Sequence, residues 1–379
     1  MSSLPVPSPE AQSHSEKLSE RLRAEIAAND GWLPFARYME MALYEPGLGY
    51  YAAGATKFGM AGDFTTAPEM SSLFGRTLAR QVQQVLEETG GDVLEAGAGS
   101  GKLAADLLLE LERLDSLPEH YLILELSAEL KARQFDTLAA RAPHLAPRVQ
   151  WLERLPETFT GVMLGNEVLD AMPIHIVVRH DGALMERGII AGENGFAWSE
   201  RPCNTPMLIE IAERLALPDD YLTEINLAAP AFVTSLVERL TKGVILLIDY
   251  GFGRDEFYHP QRGKGTLMCH YRHHAHDDPF LWPGLQDITA HVDFTAIADA
   301  GAEVMGYTTQ ANFLINCGIT DLLGEVSPGD TAAYLPLANQ AQRLMSPAEM
   351  GELFKVIAIG KNIDLALVGF GRGDQRHRL

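Results

Sequence analysis

The chain has 379 residues, 46% apolar and 21% charged, an ordinary globular composition that excludes disorder, collagen and coiled coil as descriptions of the whole. Its 30 lysines and arginines stand against 51 acids, a net charge of −21, so a nucleic-acid backbone or an anionic membrane surface is repelled rather than bound. Cys203, Cys269 and Cys317 form no CxxC and cannot all pair, which argues against a disulfide framework or a cysteine-only zinc site and fits a reducing compartment.

Residues 1–16 are polar and rich in Pro and Ser. They predict a flexible tail, with neither the apolar centre of a signal peptide nor the arginines of a transit peptide. A helical N-terminal region follows over 17–88. One helix, at about 16–28, carries Leu18, Leu22 and Ile26 on one face; a second opens near Pro34 and closes before Glu45-Pro46-Gly47; a third runs from about 70 to 88. The stretch 47–69 between the last two is too rich in glycine for a helix. From 89 to 370 strand and helix alternate. Strands are expected at Asp92–Glu95, Tyr121–Leu126, Gly161–Glu167 and Gly243–Gly251, with helices ending near 113 and 141. Such apolar runs fit parallel strands covered on both faces. The fold predicted is α/β, a doubly wound open sheet with right-handed crossovers. Residues 174–241 interrupt it as an insertion: alternating apolar and polar residues with an Asp-Gly turn read as a small antiparallel sheet, followed by two helices. Residues 253–292 predict a long loop, then a helix near 293–300 and further helices to about 352. FKVIAIG (354–360) and LALVGF (365–370) are expected to close the sheet as a late hairpin, and 371–379 to form a basic tail. No run approaches the ~18 apolar residues of a membrane-spanning helix.

The strongest chemical signal is DVLEAGAGSGKLAADLL (92–108), a strand ending in Glu95 whose Gly97, Gly99 and Gly101 lead into a helix. Glycines there permit a tight turn and close approach of a ligand to bare backbone, and the helix start offers free amides. A P-loop is excluded, because Leu103 follows Lys102 and the first glycine is misplaced. A dinucleotide fingerprint fails because the third glycine comes one residue early. The pattern E-x-G-x-G-x-G resembles instead the first motif of class I methyltransferases that use S-adenosylmethionine. Glu125 lies 24 residues after Gly101, where nucleotide-binding folds place an acid for the ribose hydroxyls. The competing reading is that these glycines only pack a strand on a helix and Glu125 is an ordinary strand-end acid.

Four further stretches narrow the resemblance: GDFTTAPEMSSLFG (62–75), GNEVLDAMP (165–173), LIDYGF (247–252) and DITAHVDF (287–294). With the glycine loop, in this order, they resemble the MidA-type methyltransferases, a family that includes the mitochondrial complex I assembly factor that methylates an arginine of a complex I subunit. The likeness covers roughly residues 30 to 370. It implies a Rossmann-like class I methyltransferase sheet and S-adenosyl-L-methionine as cofactor. It also implies an arginine of a basic protein or peptide as acceptor, with a complex I type subunit as one target; a bacterial cytoplasm is the expected location, because a mitochondrial relative should carry a presequence and none is visible. By the same resemblance Gly62, Asp63, Thr66 and Glu69 join Glu95, Gly97, Gly99, Gly101, Glu125 and Asn166 at the cofactor. Thr65, Thr66 and Ser71 are equally good caps for the helix that follows. Asn166, Glu167 and Asp170 match the family's NE-x-x-DA motif at the C-terminal end of a strand, where open α/β sheets bind ligands. Glu167 and Asp170 are the catalytic candidates, able to fork onto a guanidinium, although a capping role would also account for them. His291 is the third candidate, as general base or as an orienting group, with a structural role still open. Asp249 and Tyr250 either line a substrate channel or pack. The cluster CHYRHHAHDD (269–278) matches no familiar ligand set, so no metal is expected. Three other activities remain open: a small-molecule methyltransferase, a cofactor-binding assembly factor without turnover, and a nicotinamide dehydrogenase, the last weakened by the glycine spacing.

Overall fold

The computed structural model describes residues 4–53, 66–193, 195–301 and 303–379. The chain divides into two units: Thr65–Val168, Pro230–Arg254 and Asp293–Leu379 form one, and Met1–Phe64, Leu169–Ala229 and Asp255–Val292 form the other.

In the first unit the apolar runs become a sheet whose main path has seven strands. They are β1 (Asp92–Ala96), β2 (Tyr121–Leu124), β3 (Val149–Leu152), β4 (Phe159–Asn166), β5 (Leu240–Phe252), β6 (Glu303–Thr309) and β7 (Phe354–Lys361). Their order across the sheet is β6-β7-β5-β4-β1-β2-β3. The five strands β3, β2, β1, β4 and β5 are parallel, and β7 runs antiparallel between β5 and β6. This is the 3-2-1-4-5-6 order of dinucleotide-binding sheets with one antiparallel strand added between the fifth and the sixth. The doubly wound α/β sheet read from the sequence is therefore present. Helices α1 (Ser72–Thr89), α2 (Lys102–Arg113) and α3 (Ala128–Arg141) belong to the same unit. Ser71 starts α1 as its N-cap, its Oγ accepting from Leu73 N at 3.2 Å. Leu78, Val82, Leu107 and Leu111 of the first two helices share one buried core with Val93, Val162, Leu246 and Val356 of the sheet.

In the second unit helix Pro9–Ala28 buries Leu18, Leu22 and Ile26 against Phe35, Tyr38 and Met39 of helix Phe35–Tyr44. The expected antiparallel insertion is a meander, His175–His180, Ala183–Gly192 and Gly195–Pro202, widened to five strands by Leu222–Ile225 and Leu33–Pro34.

Several expectations are corrected. Residues 1–16 are not a flexible tail throughout: Ser8 caps a helix that begins at Pro9 and buries Ala11, His14 and Ser15. His14 Nε2 is 2.8 Å from Leu48 O. The stretch 253–292 is not one long loop; it holds the three-stranded sheet Met268–Tyr271, His274–His276 and Asp287–Thr289. LALVGF is not a strand: it ends in a 3₁₀ turn at Val368–Phe370, and the antiparallel partners of β7 are β5 and β6. Gly306 of β6 has no side chain because the Phe370 ring occupies that position. The basic tail is anchored. Thr308 Oγ1 donates to Gly373 O at 2.7 Å and Gln375 N to Tyr307 O at 2.6 Å. The division near 88 is also moved, since α1 belongs with the sheet unit and 255–292 with the other.

Candidate functional site

β1 delivers Glu95 into the interior, 2% exposed, where Tyr121 Oη donates to its Oε2 at 2.7 Å. Burial pushes the Glu95 carboxyl up to about 7, with the Tyr121 bond pulling the other way. The loop after it turns left-handed at Gly97, Gly99 and Gly101. The three glycines have different surroundings. A Cβ on Gly97 would meet Val168 Cγ1 at 2.6 Å, and one on Gly101 would meet Gln134 Cα at 2.9 Å. At Gly99 nothing lies within 4 Å. Gly97 and Gly101 thus close the loop against the protein, and Gly99 leaves its face open.

Glu125 stands one residue past β2. Its Oε1 accepts from Ser127 N at 2.8 Å and its Oε2 from Gln134 Nε2 at 2.9 Å. Beside the loop, Glu69 accepts from Ser100 Oγ, and Lys102 Nζ donates to Pro68 O at 2.5 Å and pairs with Asp106 at 2.8 Å. Thr66 occupies the N-cap position of helix Ala67–Met70 with no side-chain capping bond, so the capping reading holds for Ser71 and not for the Thr66 hydroxyl. Gly62, Asp63 and Thr65 lie outside the described residues.

At the end of β4, Glu167 sits at φ 53°, a left-handed conformation uncommon outside glycine and frequent at functional sites. Its Oε1 accepts from Asn166 Nδ2 at 3.0 Å and from Ala67 N at 3.3 Å. Asn166 Oδ1 is buried and makes no hydrogen bond among the described residues. On the neighbouring β5, Asp249 is fully buried, with its Oδ1 accepting from Tyr250 N at 2.9 Å, and Tyr250 packs on Phe354 at 5.4 Å between ring centroids.

The other catalytic candidates belong to the second unit. Asp170 is 6% exposed, and its backbone carbonyl accepts from Ala290 N at 3.0 Å. His291 follows directly, its N–H donating to Thr266 Oγ1 at 3.0 Å. The fold thus brings Asp170 and His291 together although 121 positions separate them in sequence. Tyr44 and Tyr51 stack on each other at 5.6 Å between ring centroids; Tyr44 Oη donates to Ala171 O at 2.9 Å and Tyr51 Oη to Asp287 Oδ1 at 2.9 Å. Among the described residues no group of three or more His, Cys, Asp or Glu is arranged to hold a metal ion.

Sequence reasoning missed Gln134, Ser100 and Lys102. Only Gln134 had a trace in the sequence. It lies four residues before Leu138, and these two are the buried residues of α3, a polar side chain within an otherwise apolar stripe.

The residues present fit S-adenosyl-L-methionine. An open glycine face at the end of β1, a carboxylate at the end of β2 and a buried amide oxygen in need of a donor at the end of β4 are a set that a nucleoside carrying an amino acid can satisfy. Comparison with known proteins agrees. A family model described as S-adenosyl-L-methionine-dependent methyltransferase matches residues 73–312. A crystal structure of a Burkholderia thailandensis protein bound to S-adenosyl-homocysteine is 52% identical over the whole of both chains, with a TM-score of 0.96. Among curated proteins, the Drosophila melanogaster mitochondrial protein arginine methyltransferase NDUFAF7 homolog is 29% identical over 94% of this chain and 88% of its own. The Danio rerio protein arginine methyltransferase NDUFAF7 is 28% identical over 94% and 90%. The chain belongs to the S-adenosyl-L-methionine-dependent methyltransferase family, with S-adenosyl-L-methionine as its cofactor.

Proposed function

We propose that the protein transfers the methyl group to an arginine side chain of a protein substrate. The observation that carries this reading is the likeness, over 94% of the chain, to proteins named as protein arginine methyltransferases. A basic acceptor also suits a chain with net charge −21. The cofactor supplies an already activated methyl group. What remains for the protein is to place the acceptor nitrogen in line and exclude water, and such positioning is worth ~7–11 kcal/mol. A guanidinium arrives protonated, with its lone pair delocalised. Carboxylates bonded to two of its nitrogens bias the charge away from the third. Glu167, held by Asn166 and Ala67, and the buried Asp170 are the residues we assign to this task, with His291 orienting the acceptor. A subunit of a complex I type quinone reductase is the proposed target.

The test incubates the purified protein and methyl-labelled cofactor with lysate of a strain lacking the gene, followed by acid hydrolysis and amino-acid analysis. Label in methylarginine of a protein fraction is expected. Label confined to small molecules, or no label with the cofactor still bound, would overturn the proposal. Glu167→Gln and Asp170→Asn are each expected to lower kcat at least ~100-fold, the scale at which a transition-state charge contact is lost, while cofactor affinity stays within threefold.

A further inference from the structure

The Gln134 side chain is completely buried and joins three parts of the cofactor-binding unit. Its Nε2 donates to Gly99 O at 3.2 Å and to Glu125 Oε2 at 2.9 Å, while its Oε1 accepts from Trp151 Nε1 at 2.9 Å. The chemistry fixes the orientation of the amide. A carbonyl and a carboxylate can only accept, and an indole N–H can only donate, so a flipped amide would lose all three bonds. Both amide protons are consumed in bridging two acceptors that would otherwise repel, the glycine-loop carbonyl and the strand-end carboxylate. Trp151, on β3, determines which end of the amide faces them. The glycine at 101 completes the arrangement, because a side chain there would collide with the Gln134 backbone. Glu125 in turn has each oxygen engaged once, by Ser127 N and by Gln134, which holds its plane while leaving lone pairs on both oxygens.

We propose that Gln134 is a positioning residue for the cofactor: it locks the Glu125 carboxylate and the Gly99 turn in register so that Glu125 can accept both ribose hydroxyls. The proposal rests on Glu125 being the ribose ligand, and the experiment separates the two statements.

Dissociation constants are measured by calorimetry on the full chain for S-adenosyl-homocysteine and for its 2′-deoxyribose analogue. The wild type is expected to prefer the hydroxylated ligand at least tenfold, as for a hydrogen bond to a charged group. Gln134→Leu is expected to weaken S-adenosyl-homocysteine tenfold or more while changing the deoxy analogue less than threefold, so the preference collapses. Trp151→Phe keeps an aromatic ring and removes the indole donor; it is expected to reduce the preference three- to tenfold, and it decides the matter if Gln134→Leu does not fold. An equal loss of both ligands, which a merely structural role would give, overturns the proposal, as does an unchanged preference. If Glu125→Ala keeps the wild-type preference, the ribose assignment fails and the proposal with it. If Glu125→Ala abolishes the preference and Gln134→Leu retains it, the role of Gln134 alone fails.

Discussion

A carboxyl buried with one hydrogen bond makes a marginal anion, and Glu95 is such a group. Its folded pKa is about 7 against an ordinary 4.5, so between those values the folded chain binds more protons than the unfolded one. Stability should fall as pH rises from about 4.5 to 7 and then level off, by at most ~3 kcal/mol from this residue. Asp293, which burial pushes up to about 6, and the buried Glu224, also raised, act in the same direction. Denaturant unfolding of the ligand-free protein at pH 5, 6, 7 and 8 should show this slope, and Glu95→Gln, which keeps an acceptor for Tyr121, should flatten most of its share. The glycine loop offers a second contrast. Gly99→Asp places its side chain in open space at a φ that Asp tolerates. It should cost ~1 kcal/mol or less but abolish the thermal stabilisation by S-adenosyl-homocysteine, which is ~2.7 kcal/mol at 100 times Kd. Gly101→Ala pushes into Gln134 and should cost a further ~1–3 kcal/mol even without ligand.

Among the elements, the C-terminal segment has the least obvious task. β6 is an edge strand, and an open edge invites pairing with another chain. The segment after Phe370 occupies that edge. Tyr307 N donates to Asp374 Oδ1 at 3.3 Å, Tyr307 O accepts from Gln375 N, and Arg376 donates to Val304 O at 3.2 Å. A chain truncated after Phe370 should lose ~2–4 kcal/mol, at about 1 kcal/mol per bond, and light scattering should show concentration-dependent aggregation. None of this was legible in the sequence, where GRGDQRHRL reads only as basic. The parallel strands were legible because burial on both faces writes an unbroken apolar run. β3 was not, since VQWL is four residues long and its Gln150 is exposed. β6 is hard to read because EVMGYTT mixes small and polar residues, and LALVGF reads as a strand because an apolar run also suits a segment that packs Phe370 on Gly306. The site divides in the same way. Glycines and acids at strand ends have recognisable spacing, whereas Gln134 acts through contacts with Gly99 and Trp151 that exist only after folding.

For the molecule as a whole, the excess of 21 negative charges makes long-range attraction a rate effect on a basic acceptor. The Debye length shrinks from about 14 Å near 50 mM salt to below 6 Å near 300 mM. KM for an arginine-containing basic peptide should therefore rise several-fold over that range while kcat holds, and an uncharged acceptor should show no such dependence. Neither unit is continuous in sequence. The second assembles from three segments that end at Val292. In the sheet, β7 is the last strand in the chain yet lies between β5 and β6. During synthesis the ribosome must therefore release residues up to Lys361 before the sheet can close, and β6 waits as an unpaired strand until β7 arrives. Folding of this chain is consequently a late event dominated by distant pairings, slow and exposed to misassembly, and a chaperone that shields the nascent chain has most to do in the interval between the sixth strand and the seventh.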